Sequence, residues 1–118
     1  MSIDYVISRD DGNTWGERGK VYTAKGKDKV AGAPQVLNVG GTLVVSFMTN
    51  EDVNVGQIDG GQLKVVTSDN GGSTWSPATV LGDQGSHWPG LFTTDSSHFL
   101  ALYSKDRLGA VSQLYEIV

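Results

Sequence analysis

A turn motif that occurs twice, at positions about 60 residues apart, constrains the fold of this chain more than any other feature. Residues 3–8 line up with residues 63–68, and each apolar segment runs into the same kind of polar loop. The residues of the two loops are Ser8, Asp10, Gly12, Thr14 and Trp15, and Ser68, Asn70, Gly72, Thr74 and Trp75. A repeat of this length suits one four-stranded β unit, so the sequence predicts repeated sheets.

These loops have the residue types of a braced β-hairpin turn. An Asp or Asn side chain accepts hydrogen bonds from nearby backbone N–H groups, and Gly adopts a positive φ without strain. We expect each Trp to fold back and pack between neighbouring sheets. Catalysis or metal binding by Asp10 is the alternative interpretation of the motif.

Alternation of apolar and polar residues dominates the rest of the chain, and no long segment has a helical period. Clusters of Gly, Asp, Asn and Ser separate most of the strand-like segments. The pattern therefore predicts an all-β fold of short strands, a sandwich, a barrel or a propeller. The predicted strands are residues 3–8, 20–23, 34–38, 42–48, 62–68, 78–81, 90–93, 98–104 and 112–118.

A second internal alignment defines the repeating unit. Residues 34–48 match residues 89–103, and residues 114–118 fall where residues 63–67 lie in the preceding unit. If the strands of a unit are labelled A to D, residues 1–25 supply C and D, residues 26–85 supply A to D, and residues 86–118 supply A to C. We treat the whole chain, residues 1–118, as a single domain.

Composition narrows the function classes. The net charge of −4 disfavours nucleic acid and anionic membranes as partners, and no apolar run reaches the ~20 residues of a membrane helix. There are no cysteines, and the two histidines are too few and too far apart to indicate a metal site. The N-terminus lacks the features of a secretion signal, and no motif indicates a cofactor.

The two loops match the Asp-box, Ser-x-Asp-x-Gly-x-Thr-Trp, and the chain resembles sialidase-like β-propellers. Residues 32–36 and 45–52, with 87–92 and 99–103, are most similar to the exo-arabinanases of that group. The resemblance implies about two blades of a six-bladed propeller of antiparallel four-stranded sheets. The chain is then either a fragment of a larger propeller or a homo-oligomer, a trimer completing six blades. Those relatives are typically secreted, but the localisation of this chain is unknown.

The resemblance also implies a glycoside hydrolase that removes sugars from a polysaccharide end with two carboxylic acids and retention of configuration. Glu51, which follows an apolar strand, is the candidate catalytic carboxylate; a solvated loop glutamate is the alternative. Asp28 and Asp106 are the nearby candidates for the second acid, and no motif supports either. The second function class is a non-catalytic carbohydrate-binding or self-assembling propeller segment.

Strand direction places the start of the A strands and the end of the B strands at one end, opposite the Asp-boxes. Sialidase-like enzymes bind sugar at that end, so the resemblance implies a sugar site there. Trp88 could stack on a sugar there or fill a contact between blades. Arg107 could bind an anionic group or remain solvated. The candidate substrate-binding residues are Gln35, Asp52, His87, Trp88 and Arg107.

Overall fold

The computed structural model describes residues 1–106 and 109–116, and its regular structure is antiparallel β-sheet. The all-β prediction is confirmed. Within the described ranges there is no helical segment with the length and hydrophobicity needed to cross a bilayer. The strands are β1 (Ser2–Val6), β2 (Arg18–Thr23), β3 (Ala31–Val39), β4 (Thr42–Thr49), β5 (Gln62–Ser68), β6 (Thr79–Gly82), β7 (Ser86–Thr93), β8 (His98–Lys105) and β9 (Gly109–Glu116).

The strands form three sheets in which each strand pairs with its neighbour in sequence. The first sheet is β1–β2, the second is β3–β4–β5–β6, and the third is β7–β8–β9. No sheet closes on itself in the described part of the chain.

The hairpins β1–β2 and β5–β6 have the same register. Ile3 pairs with Tyr22 and Leu63 pairs with Gly82, and an irregularity follows directly after Ile3 and after Leu63. A shared bulge at the same point adds to the match between the two sequences, because bulges set the local twist of a strand. Strand β1 is therefore the counterpart of β5, and β2 is the counterpart of β6.

The second internal alignment is wrong in part. Gln35 pairs with Ser46 beyond the bulge of β3, and Gly90 pairs with Leu102 beyond the bulge of β7. The counterpart of Ser46 is therefore Leu102, whereas a uniform offset from residues 34–48 to 89–103 gives Ala101. The β7–β8 turn is longer than the β3–β4 turn, which shifts β8 by one residue.

The predicted position of Leu114 is also wrong. Leu114 pairs with Leu100, and in the second sheet the corresponding pair is Thr67 with Val44. Leu114 thus corresponds to Thr67, although the sequence alignment placed it at Leu63. Too few side chains of β9 are buried to fix its register from the sequence pattern alone.

Two apolar clusters join the sheets. One lies between the first and second sheets and contains Ile3, Val21, Val45, Phe47 and Val66. The other lies between the second and third sheets; its buried members include Val39, Val44, Met48, Leu63, Phe99, Ala101 and Tyr103. Successive sheets therefore pack face to face, and alternate residues of β4 belong to different clusters.

The connections gather at two ends of the sheets. At one end, Gly85 N–H donates to the carbonyl of Gly61 at 3.0 Å, and Asp106 N–H donates to the carbonyl of Gly85 at 3.0 Å. We call this the loop end; it contains residues 24–30, 50–61, 83–85 and 106. Antiparallel pairing places the two Asp-box loops at the opposite end.

Candidate functional site

Glu51 lies between the first two sheets with both carboxylate oxygens occupied. Tyr22 Oη–H donates to Oε1 at 2.5 Å, Lys64 Nζ donates to Oε1 at 2.6 Å, and Lys25 N–H donates to Oε2 at 2.8 Å. The Glu51 side chain is 1% exposed. Lys64 also contacts Asp52 Oδ2 at 2.5 Å, so one ammonium joins two carboxylates. We call these four side chains and Lys25 N–H the Glu51 cluster.

The hydrogen bonds of the cluster keep Glu51 ionised. Burial by itself would raise the pKa of Glu51, but the bonds from Lys64, Tyr22 and Lys25 N–H outweigh burial, and the pKa lies below its ordinary value. Burial would lower the pKa of Lys64, but its contacts with Asp52 and Glu51 raise it. Burial, followed by the bond to Glu51, raises the pKa of Tyr22. The arrangement is a hydrogen-bonded ionic cluster in which one ammonium bridges two carboxylates.

His87 joins the second and third sheets at the loop end. Its Nδ1 contacts the Asp59 carboxylate, and its Nε2 lies 2.7 Å from Asp106 Oδ1. Two carboxylate acceptors on one ring favour the doubly protonated imidazole, and these bonds to Asp106 and Asp59 raise the pKa of His87. Lys105 contacts Asp83 beside them. We call Asp59, His87 and Asp106 the His87 cluster.

Trp88 follows His87 at the bulge of β7. The residue is 62% exposed, and its φ is +46°, a conformation that a bulky residue before proline rarely adopts. Ala33 has a φ of +51° at the corresponding bulge of β3, where it also precedes a proline. The bulge turns the residue at this position out of the sheet, and only in β7 is that residue a large aromatic.

The first Asp-box loop is braced by its own side chains. Thr14 N–H donates to Asp10 Oδ1 at 2.8 Å, Thr14 Oγ1–H donates to Asp10 Oδ2 at 2.6 Å, and Gly12 N–H donates to Ser8 Oγ at 2.7 Å. Bonds from Thr14 and Ser8 lower the pKa of Asp10. Every one of these contacts lies within the turn.

The second loop repeats the geometry with one donor reversed. Thr74 N–H donates to Asn70 Oδ1 at 3.0 Å, and Gly72 N–H donates to Ser68 Oγ at 2.9 Å. Here the Asn70 amide donates to Thr74 Oγ1 at 2.7 Å, whereas in the first loop the threonine hydroxyl donates to the aspartate. The hydroxyl can take either role, so both residue types fit the same turn.

The two motif tryptophans differ in packing. Trp75 is partly buried and packs against the cluster between the first and second sheets. Trp15 is 59% exposed, so the expectation that it packs between sheets is wrong for this residue. The described residues place no sheet on the outer side of the first sheet, and Trp15 therefore has no apolar surface to cover.

The remaining predicted residues lie apart from the Glu51 cluster. Gln35 is exposed on β3, which packs beside β7, the strand that carries His87 and Trp88. Asp28 is an exposed loop residue with φ +62°. Asp106 binds His87, and Arg107 lies outside the described residues. Neither Asp28 nor Asp106 forms a hydrogen bond to Glu51.

The sequence reasoning missed Tyr22, Lys64 and Asp59. Lys64 had a usable signal, since it interrupts the apolar segment of β5 and a buried lysine needs a carboxylate partner. No sequence signal indicated Tyr22 or Asp59. Tyr22 meets Glu51 29 residues further along the chain, and Asp59 meets His87 28 residues further along.

Within residues 1–106 and 109–116, no group of three or more acidic, histidine or cysteine side chains is arranged to hold a metal ion.

No protein-family profile, no curated protein and no solved structure matches this chain.

Proposed function

We propose that this chain is a segment of a sialidase-like β-propeller that binds carbohydrate, without hydrolysing it, through Trp88 and the His87 cluster. In this proposal the three sheets are blades: strands C–D, A–D and A–C in chain order. Support comes from the face-to-face packing of successive sheets, the shared register of β1–β2 and β5–β6, and the two matching Asp-box loops.

The exposed Trp88 carries the binding part of the proposal. Ala33 has the same left-handed φ at the corresponding bulge, so the large exposed indole, and not the backbone conformation, distinguishes this position. An indole presents an electron-rich face, which suits the C–H groups of a sugar ring. The carboxylates of Asp59 and Asp106, 52% and 65% exposed, lie at the neighbouring His87 and can accept hydrogen bonds from sugar hydroxyls.

Hydrolysis is the second candidate, favoured by the contact of Glu51 and Asp52 with one ammonium. Retaining glycosidases hold two carboxyl groups about 5 Å apart, and a shared Lys64 keeps these two close. Burial of Glu51 and saturation of both its oxygens argue against this role, because a nucleophile or acid must reach the glycosidic bond. We therefore favour binding over catalysis.

The test compares two exposed tryptophans. Arabino-oligosaccharides and sialyllactose are titrated into the wild-type chain, Trp88→Ala and Trp15→Ala, with binding followed by calorimetry. We expect Trp88→Ala to weaken binding by about tenfold or more, the loss of roughly 1.4 kcal/mol of stacking, and Trp15→Ala to bind like the wild type. Equal effects of the two substitutions, or no binding of either sugar class by the wild type, would overturn the proposal.

A separate assay addresses hydrolysis. Release of arabinose from arabinan is measured for the wild type and Glu51→Gln. We expect no release above the background of a buffer control from either protein. Release by the wild type that Glu51→Gln abolishes would replace the binding proposal with the hydrolase.

A further inference from the structure

The second Asp-box loop contains the one asparagine of this chain that a glycine follows. The asparagines at positions 13, 38, 50 and 54 each precede a residue with a side chain, whereas Asn70 precedes Gly71. Both residues are exposed. An asparagine side chain can react with the backbone nitrogen of the next residue, and a glycine there puts no Cβ in the way of the approach. Asn70 is therefore the asparagine on which such an attack is least obstructed.

The backbone nitrogen of Gly71 is open to solvent. Its neighbour Gly72 donates its N–H to Ser68 Oγ at 2.9 Å, but within residues 1–106 and 109–116 the Gly71 N–H donates to no protein acceptor. Gly71 has a φ of +72°, and a Cβ at this position would meet no atom within 4 Å. Hydroxide can therefore remove the proton of this N–H without first breaking a hydrogen bond within the protein.

Two donors polarise the Asn70 amide. Ser68 Oγ–H donates to Oδ1 at 2.9 Å, and Thr74 N–H donates to Oδ1 at 3.0 Å. Donors fixed on this oxygen stabilise the negative charge that develops there when a nucleophile adds to Cγ. The Nδ2 atom lies 2.7 Å from Thr74 Oγ1. The loop thus holds a polarised amide next in sequence to the open Gly71 nitrogen.

The first Asp-box loop shows how an aspartate fits this turn. Asp10 has the position of Asn70, and it accepts Thr14 N–H on Oδ1 and Thr14 Oγ1–H on Oδ2. A carboxylate at the Asn70 position accepts the same two bonds once the Thr74 hydroxyl rotates from acceptor to donor. The conversion therefore keeps the turn and adds one negative charge next to Asp69.

We propose that Asn70 is a modification site that deamidates without an enzyme, and that the folded loop retains the aspartate product. The Gly71 nitrogen, after losing its proton to hydroxide, bonds to Asn70 Cγ. The Cγ–Nδ2 bond breaks, and Nδ2 leaves as ammonia with a proton taken from water, so that a five-membered cyclic imide remains. Water then adds at Cγ and breaks its bond to the Gly71 nitrogen, which gives aspartate. The net reaction consumes water and releases ammonia, and the proposal does not rest on sugar binding.

Water can instead add at the main-chain carbonyl of the imide. That route gives a β-linked residue, which inserts a methylene group into the main chain between positions 70 and 71. The bracing bonds join residues two to four positions apart and re-form only around the α-linked product. We therefore expect the folded chain to give a larger share of α-linked aspartate than the same chain unfolded in urea.

Peptide mapping by mass spectrometry follows the conversion in the folded chain. The chain is incubated at mildly alkaline and at mildly acid pH and then digested, and the fraction of acid at each asparagine position is measured. Synthetic peptides identify the α-linked and β-linked products. We expect Asn70 to convert, faster at the alkaline pH, while Asn54, an exposed asparagine before Val55, stays an amide.

Gly71→Asp is the matched control. Asp11 has this position in the first loop with a φ of +57°, so the turn accommodates an aspartate there. The new side chain obstructs the approach to Cγ, and we expect conversion of Asn70 to slow by about tenfold or more. Asn70→Asp supplies the finished product. Its Thr74 amide should shift in acid as that of Thr14 does, and the incubated wild type should gain the same shift.

An Asn70 that stays an amide, or that converts no faster than Asn54, would overturn the proposal. So would equal rates of conversion in the wild type and Gly71→Asp. Equal shares of α-linked product from the folded and the unfolded chain would show that the loop does not retain the aspartate, as would a Thr74 amide in Asn70→Asp that does not respond to acid.

Discussion

The Lys64 ammonium lies 2.6 Å from the Glu51 carboxylate, and the two side chains are only 9% and 1% exposed. Removal of one partner of a buried ion pair leaves an uncompensated charge, which typically costs 3–5 kcal/mol. We expect Lys64→Met to lower the free energy of unfolding by roughly 3 kcal/mol at neutral pH. Urea unfolding followed by tryptophan fluorescence measures the change.

The loss in Lys64→Met should be smaller in mild acid. Without Lys64, burial raises the pKa of Glu51, so this carboxylate can take up a proton and the unpaired charge disappears. Lys20→Met is the control, since Lys20 forms an exposed pair with Asp4, and it should change stability little at either pH. A Lys64→Met deficit that is independent of pH would contradict the ion-pair account.

The Asp-box loops should respond differently to acid. The pKa of Asp10 is lowered by its bonds to Thr14 and Ser8, so its stabilising contribution is present above the ordinary aspartate value of about 3.9 and is lost as the pH falls through the lower folded value. Asn70 does not titrate. In an NMR titration the Thr14 amide should shift in this acid range and the Thr74 amide should not.

Substitutions of Asp10 test whether its hydrogen bonds brace the first Asp-box loop. Asp10→Asn should be tolerated, because the amide can donate to the threonine hydroxyl as Asn70 does to Thr74. Asp10→Ala removes both acceptors of Thr14 and should lower the melting temperature more than Asp10→Asn. Equal melting temperatures for the two variants would count against the bracing role.

The His87 cluster should make the fold less stable as the pH rises. Because Asp106 and Asp59 raise the pKa of His87, its contribution is fully present below the unfolded value of about 6.5 and is lost as the pH rises through the higher folded value. His87→Gln should lower the melting temperature in mild acid. The difference in melting temperature from the wild type should shrink above neutrality. A difference that grows with pH would contradict a stabilising role for the protonated His87 cluster.

Gly61 should not accept a side chain. A Cβ at this position would overlap with the carbonyl oxygen of Thr49, whereas a Cβ at Gly56 would meet no atom within 4 Å. We expect Gly61→Ala to cost about 1–3 kcal/mol through overpacking of backbone on backbone and Gly56→Ala to be nearly neutral. Chemical denaturation of the two variants distinguishes them, and similar stabilities would show that the β4–β5 connection is not tightly packed.

The sequence alone determined the features that depend on local interactions. The bracing bonds of the Asp-box loops join residues no more than four positions apart, so the motif itself specifies the turn. Alternation within single segments was enough to predict nine strands. Strand β5, residues 62–68, begins and ends where the sequence predicted.

Tertiary structure decided which partners the candidate site residues meet. Glu51 meets Tyr22 of the first sheet and Lys64 of the second, and His87 joins loops of the second and third sheets. These contacts span sequence separations at which no periodicity carries information. A longer β7–β8 turn shifted β8 by one residue, and in a strand one residue exchanges the two faces. Turn motifs are fixed by neighbours in sequence, but the face of a strand is fixed by turn length and by the sheet that packs against it.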